Sequence, residues 1–454
     1  MNTLRTRRPD RRRRFPQAAR SEENAWTTPL IKTTVVCIAF FADGNFHEKI
    51  MPGGEESNLQ QYIILTLWLL IALVSYFRRA ALRIEASAGL GVGLAFYALA
   101  VISIAWSGNF AASLPKGAAM AIVLFCAWRL TRSLAFDDIV EGYLLGLFGL
   151  CATAIVVAIA APDIGVLKTW QHAGQWNGIF VTKQTLGIGG ALLLFFSSYR
   201  LLDASRRPWH YAAAAVALVC VIASGSRGGG ALAAVSVVCV YLTRQSTRFA
   251  RGLAFAPFVM ILLGIALTAY FVATGNKYLV LFDAELDFTE RSFIWQHALR
   301  FYPSAPWFGH GLNGFWTLKD VKDIFVAQHG WFLDDYHDGY IAIVMETGAI
   351  GMGVFACGYL LYALRLLAII RRGGALDRDT GVMLVHTCLV FFMDFTETVF
   401  MRSTNITSTF LAMGLFVAYG RRPRPAPEDV SRTRPLPARA GGRDRRLVIG
   451  ADRY

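Results

Sequence analysis

Twelve apolar runs leave this chain few folds to choose from, because each is near the ~20 residues that an α-helix needs to cross a hydrocarbon layer. They lie at 28–43, 60–77, 86–106, 116–131, 139–161, 183–199, 209–225, 229–243, 253–274, 339–363, 380–400 and 405–420. Lipid offers the backbone no hydrogen-bond partner, so only helices and closed barrels can span it, and uninterrupted runs of this length predict helices. With 55% apolar residues, 17% charged residues and a mean hydropathy of +0.43, the chain carries more apolar surface than an aqueous core could hide. The expected fold class is an all-α polytopic membrane protein of about twelve transmembrane helices.

The net charge of +14 raises the alternative of a nucleic-acid partner, and the placement of the cations decides against it. Most of the 45 Lys and Arg fall in stretches that lie on one side if the N-terminus is inside: 1–32, 78–83, 129–132, 200–207, 244–251, 365–378 and everything after 420. Such a bias orients membrane proteins with the basic loops cytoplasmic, so both termini are expected inside. The expected organisation is an Arg-rich cytoplasmic tail over 1–27, spans one to nine over 28–274, an outer segment over 275–338, spans ten to twelve over 339–420 and a disordered cytoplasmic tail over 421–454. That last stretch, rich in Pro and Arg, is also suited to anionic lipid headgroups. The basic N-terminus before the first run resembles a secretion signal, but no clear small-residue cleavage site follows, so the first span is expected to be retained. The seven cysteines all lie in apolar segments without metal-binding spacing and are expected to pack as small apolar residues.

Several charged residues escape the topological explanation. Arg227, in SGSRGGG, sits in a short connection between two short spans, which draws the guanidinium toward the membrane; it either snorkels to headgroups or binds an anion. ERSFIWQHALRF predicts a helix with Ile294, Trp295, Ala298 and Leu299 on one side. Arg291 then falls in the first turn, where a cation opposes the helix dipole. It either pairs with Glu290 or Asp287 or serves a ligand. His337 and Asp338 stand at the expected start of the tenth span, with Asp338 a natural cap beside amides that suit an anion. Lys183 opens the sixth span as an anchor or a phosphate or acceptor ligand. Glu346 lies nine residues inside the tenth span and should find a buried cation or polar helix face. Glu397 and Arg402 end the eleventh span, where they either bind acceptor sugar or pair with each other. The carboxylates near the outer face form no paired motif for holding a divalent ion, so neither metal nor cofactor is expected.

Four motifs occur in order: GIFVTKQTLG (178–187), SGSRGGG (224–230), ERSFIWQHALRFYPSAPWFGHG (290–311) and HDGYIAIVMETGAIG (337–351). Together they resemble the O-antigen ligase and polysaccharide polymerase superfamily of WaaL-type ligases and Wzy- or ExoQ-type exopolysaccharide polymerases. The resemblance covers roughly residues 30 to 420. It implies a GT-C-like bundle in the bacterial inner membrane and a partly helical periplasmic segment between spans nine and ten. The implied activity is that of a metal-independent, inverting glycosyltransferase with a periplasmic active site and an undecaprenyl-diphosphate-linked oligosaccharide as donor. By the same resemblance Arg227 and Arg291 bind the diphosphate and His337 stands at the reaction centre. Asp338, Tyr340, Glu397 and Arg402 are candidate acceptor-binding or supporting residues. Two positions depart from the family pattern: Asp338 and Gln184 stand where asparagine is usual.

The chemistry suits these residue types. A departing diphosphate concentrates negative charge, guanidinium groups grip phosphate oxygens as planar forks at any pH, and imidazole can take a proton from a sugar hydroxyl or donate to phosphate. Polymerisation of exopolysaccharide or O-antigen repeat units is the expected function, with transfer of glycan to lipid A core as the alternative within the class. A transporter of lipid-linked sugar is the alternative outside it. Membrane lipids, a chain-length regulator and other polysaccharide assembly proteins are the expected partners, and nucleic acid is not.

Overall fold

The computed structural model describes residues 26–42, 59–77, 87–170, 172–274, 279–281, 284–286, 291–330, 335–373, 376–402 and 404–420. The expected N-terminal and C-terminal tails lie outside these residues, as do Asp287, Glu290 and Gln171.

A helix occupies every one of the twelve apolar runs. They are α1 (Thr27–Phe41), α2 (Leu59–Phe77), α3 (Ala88–Ile102), α4 (Phe110–Ser133), α5 (Phe136–Ala160), α6 (Lys183–Leu201), α7 (Pro208–Ser224), α8 (Arg227–Gln245) and α9 (Ala256–Thr274). After the outer segment come α12 (Gly339–Gly373), α13 (Arg378–Met393) and α14 (Ile406–Gly420). Six helical stretches are long and apolar enough to cross a membrane by length and composition, and three shorter ones are apolar. These six, not all twelve, meet that measure because α6 and α8 carry polar first turns and several others have fewer than 18 residues. The protein is a helical polytopic membrane protein. Large apolar side chains such as Val156, Ile159, Ile222, Leu262 and Leu263 face outward, an arrangement that lipid solvates and water does not.

The outer segment departs from all-helical structure only slightly. A two-stranded antiparallel hairpin, β1 (Leu279–Leu281) with β2 (Ala284–Leu286), precedes α10 (Arg291–Arg300) and α11 (Lys319–His329). The face predicted for α10 is buried, with Ile294, Trp295, Ala298 and Leu299 each at most 5% exposed. Trp295 stacks edge-on against Phe271 of α9 and donates its indole N–H to the Tyr336 carbonyl at 3.1 Å. Phe315, Trp316 and Tyr336 complete the aromatic packing, which fixes the segment on the bundle.

Helix order sets which residues share an end. The first turns of α6 and α8 meet so closely that a Cβ on Gly229 would lie 2.7 Å from the Gly187 backbone. Their last turns meet as well, Arg244 stacking over Tyr199 and reaching its carbonyl at 3.5 Å. These two helices therefore run parallel. The first turn of α13 packs at the Tyr199 end, where a Cβ on Gly381 would meet the Tyr199 hydroxyl at 2.5 Å, and its last residues pack beside Gly339, whose amide donates to the Asp394 carbonyl at 2.7 Å. Lys183, Arg227, His337 and the 394–402 loop thus occupy one end of the bundle. Arg200, Asp203, Arg244 and Arg378 occupy the other.

At that second end Arg200 binds Asp137 and Glu141, each at 2.7 Å, and Arg378 pairs with Asp137 and Asp203. Arginines also close helix C-termini there, where the dipole favours a cation. Buried Arg129 donates to the Ser75 carbonyl at 2.6 Å, and Arg365 donates to Ala418 at 3.0 Å. All seven cysteines are free thiols, five of them buried, Cys37 half-buried and Cys357 exposed.

α12 runs ten residues beyond its apolar run and is broken at Gly348, whose φ of +69° and ψ of −172° no helix contains. A Cβ there would lie 2.3 Å from the Trp307 carbonyl, so glycine is required. The 305–314 loop fills the break and satisfies its backbone. His310 and Gly311 amides donate to the Met345 and Glu346 carbonyls, and the Ala349 and Ile350 amides donate to Pro306 and Trp307. Irregular backbone within an apolar bundle is tolerable only with such partners.

Candidate functional site

Four helices open at the same end with a charged or polar residue in or just before the first turn. Lys183 opens α6, Arg227 opens α8, Arg291 opens α10, and His337–Asp338 precede α12. Three of these are cations placed against the dipole, where they gain nothing from their own helix.

Two clusters result. In the first, the Lys183 Nζ donates to Gln175 Oε1 at 2.7 Å, lies 3.1 Å from His172 Nδ1, and feels the charge of Arg227. Two neighbouring cations without a carboxylate between them form an electrostatic demand for an anion. Arg227 is exposed and makes no ion pair among the described residues. Its position is built locally: Gly225 adopts the left-handed conformation that ends α7, and the Ser226 hydroxyl accepts the Gly229 amide at 3.1 Å to start α8.

In the second cluster, Arg291 Nη2 donates to Glu397 Oε1 at 2.9 Å, and the other oxygen of Glu397 stands 3.7 Å from His337 Nδ1. That second distance is too long for a hydrogen bond, and His337 Nδ1 is buried with no hydrogen-bond partner among the described residues. His337 holds a φ of +50°, an uncommon conformation for a residue other than glycine. Its amide donates to Asp335 Oδ1 at 3.2 Å, a local turn that compensates the strain. Asp335 also binds Arg402 at 2.7 Å. Burial alone would raise the Asp335 carboxyl, but Arg402 and His337 outweigh it and hold it below the usual carboxylate range.

The pairs differ from those the sequence suggested. Arg291 binds Glu397 across 106 residues, and Arg402 binds Asp335, so Glu397 and Arg402 each pair elsewhere rather than with each other. Asp338 caps α12 through the Ile341 amide at 2.8 Å and is 3% exposed. Burial raises its carboxyl to about 7. Tyr340 is fully buried and gives its hydroxyl to the Phe391 carbonyl at 2.9 Å, which places it in the bundle and outside both clusters. Glu346 accepts the Asn313 amide at 3.1 Å. No hydrogen bond or ion pair joins Lys183 or Arg227 to Arg291 or His337 among the described residues, although all four share one end. Asp335 went unremarked as a site residue in the sequence, where the only signal was an Asx turn written in DDYHD. Gln175 and His172 carried no signal at all.

Residues 212–356 match the Wzy_C family, described as O-Antigen ligase. The match supports the resemblance to the O-antigen ligase and polysaccharide polymerase superfamily. The chain is also 25% identical over 318 residues to the exopolysaccharide production protein ExoQ of Rhizobium meliloti (strain 1021), a match covering 66% of this chain and 68% of that protein. Within the superfamily match fall Arg227, Arg291 and His337, together with Asp338, Tyr340 and Glu346. Lys183, Glu397 and Arg402 lie outside 212–356 and join the site through packing alone.

Proposed function

We propose that this protein is a member of that superfamily and an inner-membrane glycosyltransferase that extends exopolysaccharide or O-antigen chains from an undecaprenyl-diphosphate-linked donor at the periplasmic face, its twelve helices forming a GT-C-like membrane bundle. The observation that carries the reading is the placement of Lys183, Arg227 and Arg291 on helix N-termini at the end that holds His337. Cations and helix amides together stabilise a leaving diphosphate.

In this reading an acceptor hydroxyl oxygen bonds to the anomeric carbon from the face opposite the diphosphate, the carbon–oxygen bond to phosphate breaks, and that electron pair leaves on the diphosphate. Arg227 and Arg291 receive the departing charge. His337 takes the hydroxyl proton on its ring, with Glu397 stabilising the imidazolium so formed while also orienting Arg291. The arginines stand where a divalent ion would otherwise neutralise charge, so transfer proceeds without metal.

Similarity to an exopolysaccharide production protein supports a role in making exopolysaccharide, and the O-antigen ligase match of 212–356 supports the ligase reading. Complementation of a strain lacking the protein separates them. With Arg227→Ala, Arg291→Ala or His337→Ala, a polymerase leaves single lipid-linked repeat units, whereas a ligase leaves full-length lipid-linked chains. A transporter of lipid-linked sugar would leave repeat units confined to the cytoplasmic leaflet, which contradicts the proposal.

A further inference from the structure

Beside the His337 cluster, on the far side of Asp335 and Arg402, lies a cavity of about 110 Å³ lined by Glu346, Arg402, Asn313, Tyr336, Thr398 and Lys116, among others. We propose that this cavity is a sugar subsite that grips one hydroxyl-bearing ring of the glycan, an inference that deepens the glycosyltransferase reading and rests on it.

The chemistry of the lining selects its ligand. Glu346 offers carboxyl oxygens, one of which accepts the Asn313 amide, Arg402 and Lys116 only donate, and the side chains of Asn313, Tyr336 and Thr398 do both. A hydroxyl group satisfies donors and acceptors at once. A cation would meet Arg402 and Lys116, and Asp335 already neutralises Arg402, so neither a cation nor a doubly charged anion suits the space as well as a polyol. One observation points directly at a missing ligand: Tyr336 is 2% exposed, lines the cavity, and has a hydroxyl without a hydrogen-bond partner among the described residues. Such an orphan is unfavourable unless water or a ligand satisfies it. The volume is below the roughly 150 Å³ of a cavity that admits benzene, so the space takes the hydroxyl-bearing edge of one ring and leaves the rest of the glycan outside.

The cavity is also tied to the reacting group. Arg402 holds Asp335, and Asp335 holds the His337 backbone amide, so a ring seated against Arg402 lies next to the segment that carries the imidazole. The loop that fills the broken α12 supplies Asn313, and the break itself places Glu346 at the wall. The break and its plug therefore shape a pocket as well as a helix.

The test uses the purified full chain in lipid nanodiscs and two probes: the repeat-unit oligosaccharide without lipid or diphosphate, and inorganic pyrophosphate. Trp316, 5.4 Å from the Tyr336 ring, reports binding by fluorescence. The proposal expects the oligosaccharide to bind, Tyr336→Phe and Glu346→Gln each to weaken it about tenfold, the loss of one good hydrogen bond, and pyrophosphate not to displace it. Thermal melting of each variant within a few degrees of the parent shows that the fold is kept, and Thr398→Val serves in place of any variant that fails this check. Oligosaccharide that does not bind, variants that bind it unchanged, or displacement by pyrophosphate would overturn the subsite. Transfer from the lipid-linked donor is measured on the same preparation. If binding follows the expected pattern without transfer, the glycosyltransferase reading falls and the sugar site stands. If transfer is normal while Tyr336→Phe and Glu346→Gln bind sugar as the parent does, the reverse holds.

Discussion

At the residue scale, the account turns on pairs that hold reactive groups in position. Glu397 divides its two oxygens between Arg291 and the approach to His337, so removing it frees both. Glu397→Ala is expected to lower transfer by about 10- to 100-fold while costing roughly 1–3 kcal/mol of stability, because the half-buried Arg291 guanidinium loses its carboxylate. Transfer rates and thermal melts on the same preparations check both parts. Asp338 adds a pH dependence of definite sign. Its folded carboxyl is raised to about 7 against an ordinary 3.8, so the folded protein holds a proton there that the unfolded chain releases. Stability from this group is full below about pH 4 and falls as the pH rises toward 7. Asp338→Asn keeps the cap and removes the titration, and its stability profile between pH 4 and 7 should be flatter than that of the parent. A profile of unchanged slope would contradict the assignment. Asparagine has the shape of aspartate without the ionisable proton, which makes the variant conservative.

At the element scale, the two ends of the bundle use arginine in opposite ways. Arg129, Arg244 and Arg365 donate to carbonyls at helix C-terminal ends, in accord with the dipole. Lys183, Arg227 and Arg291 sit at N-termini, against it. Melting temperature and transfer activity should therefore separate. Arg129→Ala should lower the melting temperature by several degrees, the loss of about 1–3 kcal/mol of buried hydrogen bonding to Ser75. Arg227→Ala should leave the melting temperature unchanged or slightly raised and abolish transfer. The broken helix makes a further demand: Gly348→Ala forces a side chain into the Trp307 carbonyl and should cost several kcal/mol, seen as loss of folded protein on gel filtration. Helix positions were legible in the sequence because apolar runs of this length permit little else, and the amphipathic side of α10 was legible from its spacing. The break at Gly348 was not, since ETGAIG reads as ordinary helix until the 305–314 loop is seen filling the gap.

At the scale of the whole molecule, chain order hides the site. Motifs near residues 183 and 227 come together because α6 and α8 run parallel and touch through glycine, and Arg291 meets Glu397 only because α13 returns to the same end. The sequence supplied the cations and the imidazole through local motifs, each strong enough to mark a position. It did not supply their partners, because Glu397 and Asp335 are selected by packing across tens to a hundred residues. The separation of ends also suits a directional reaction: ion pairs such as Arg200 with Asp137 and Glu141 at one end, and at the other Lys183 and Arg227, which make no ion pair among the described residues. The measurement that bears most directly on this arrangement is product sizing with purified protein, lipid-diphosphate oligosaccharide and an excess of chelator. The account predicts longer glycan from the parent despite the chelator, and none from Arg227→Ala, Arg291→Ala or His337→Ala. Extension that stops on chelation, or that persists in any of the three variants, would contradict it.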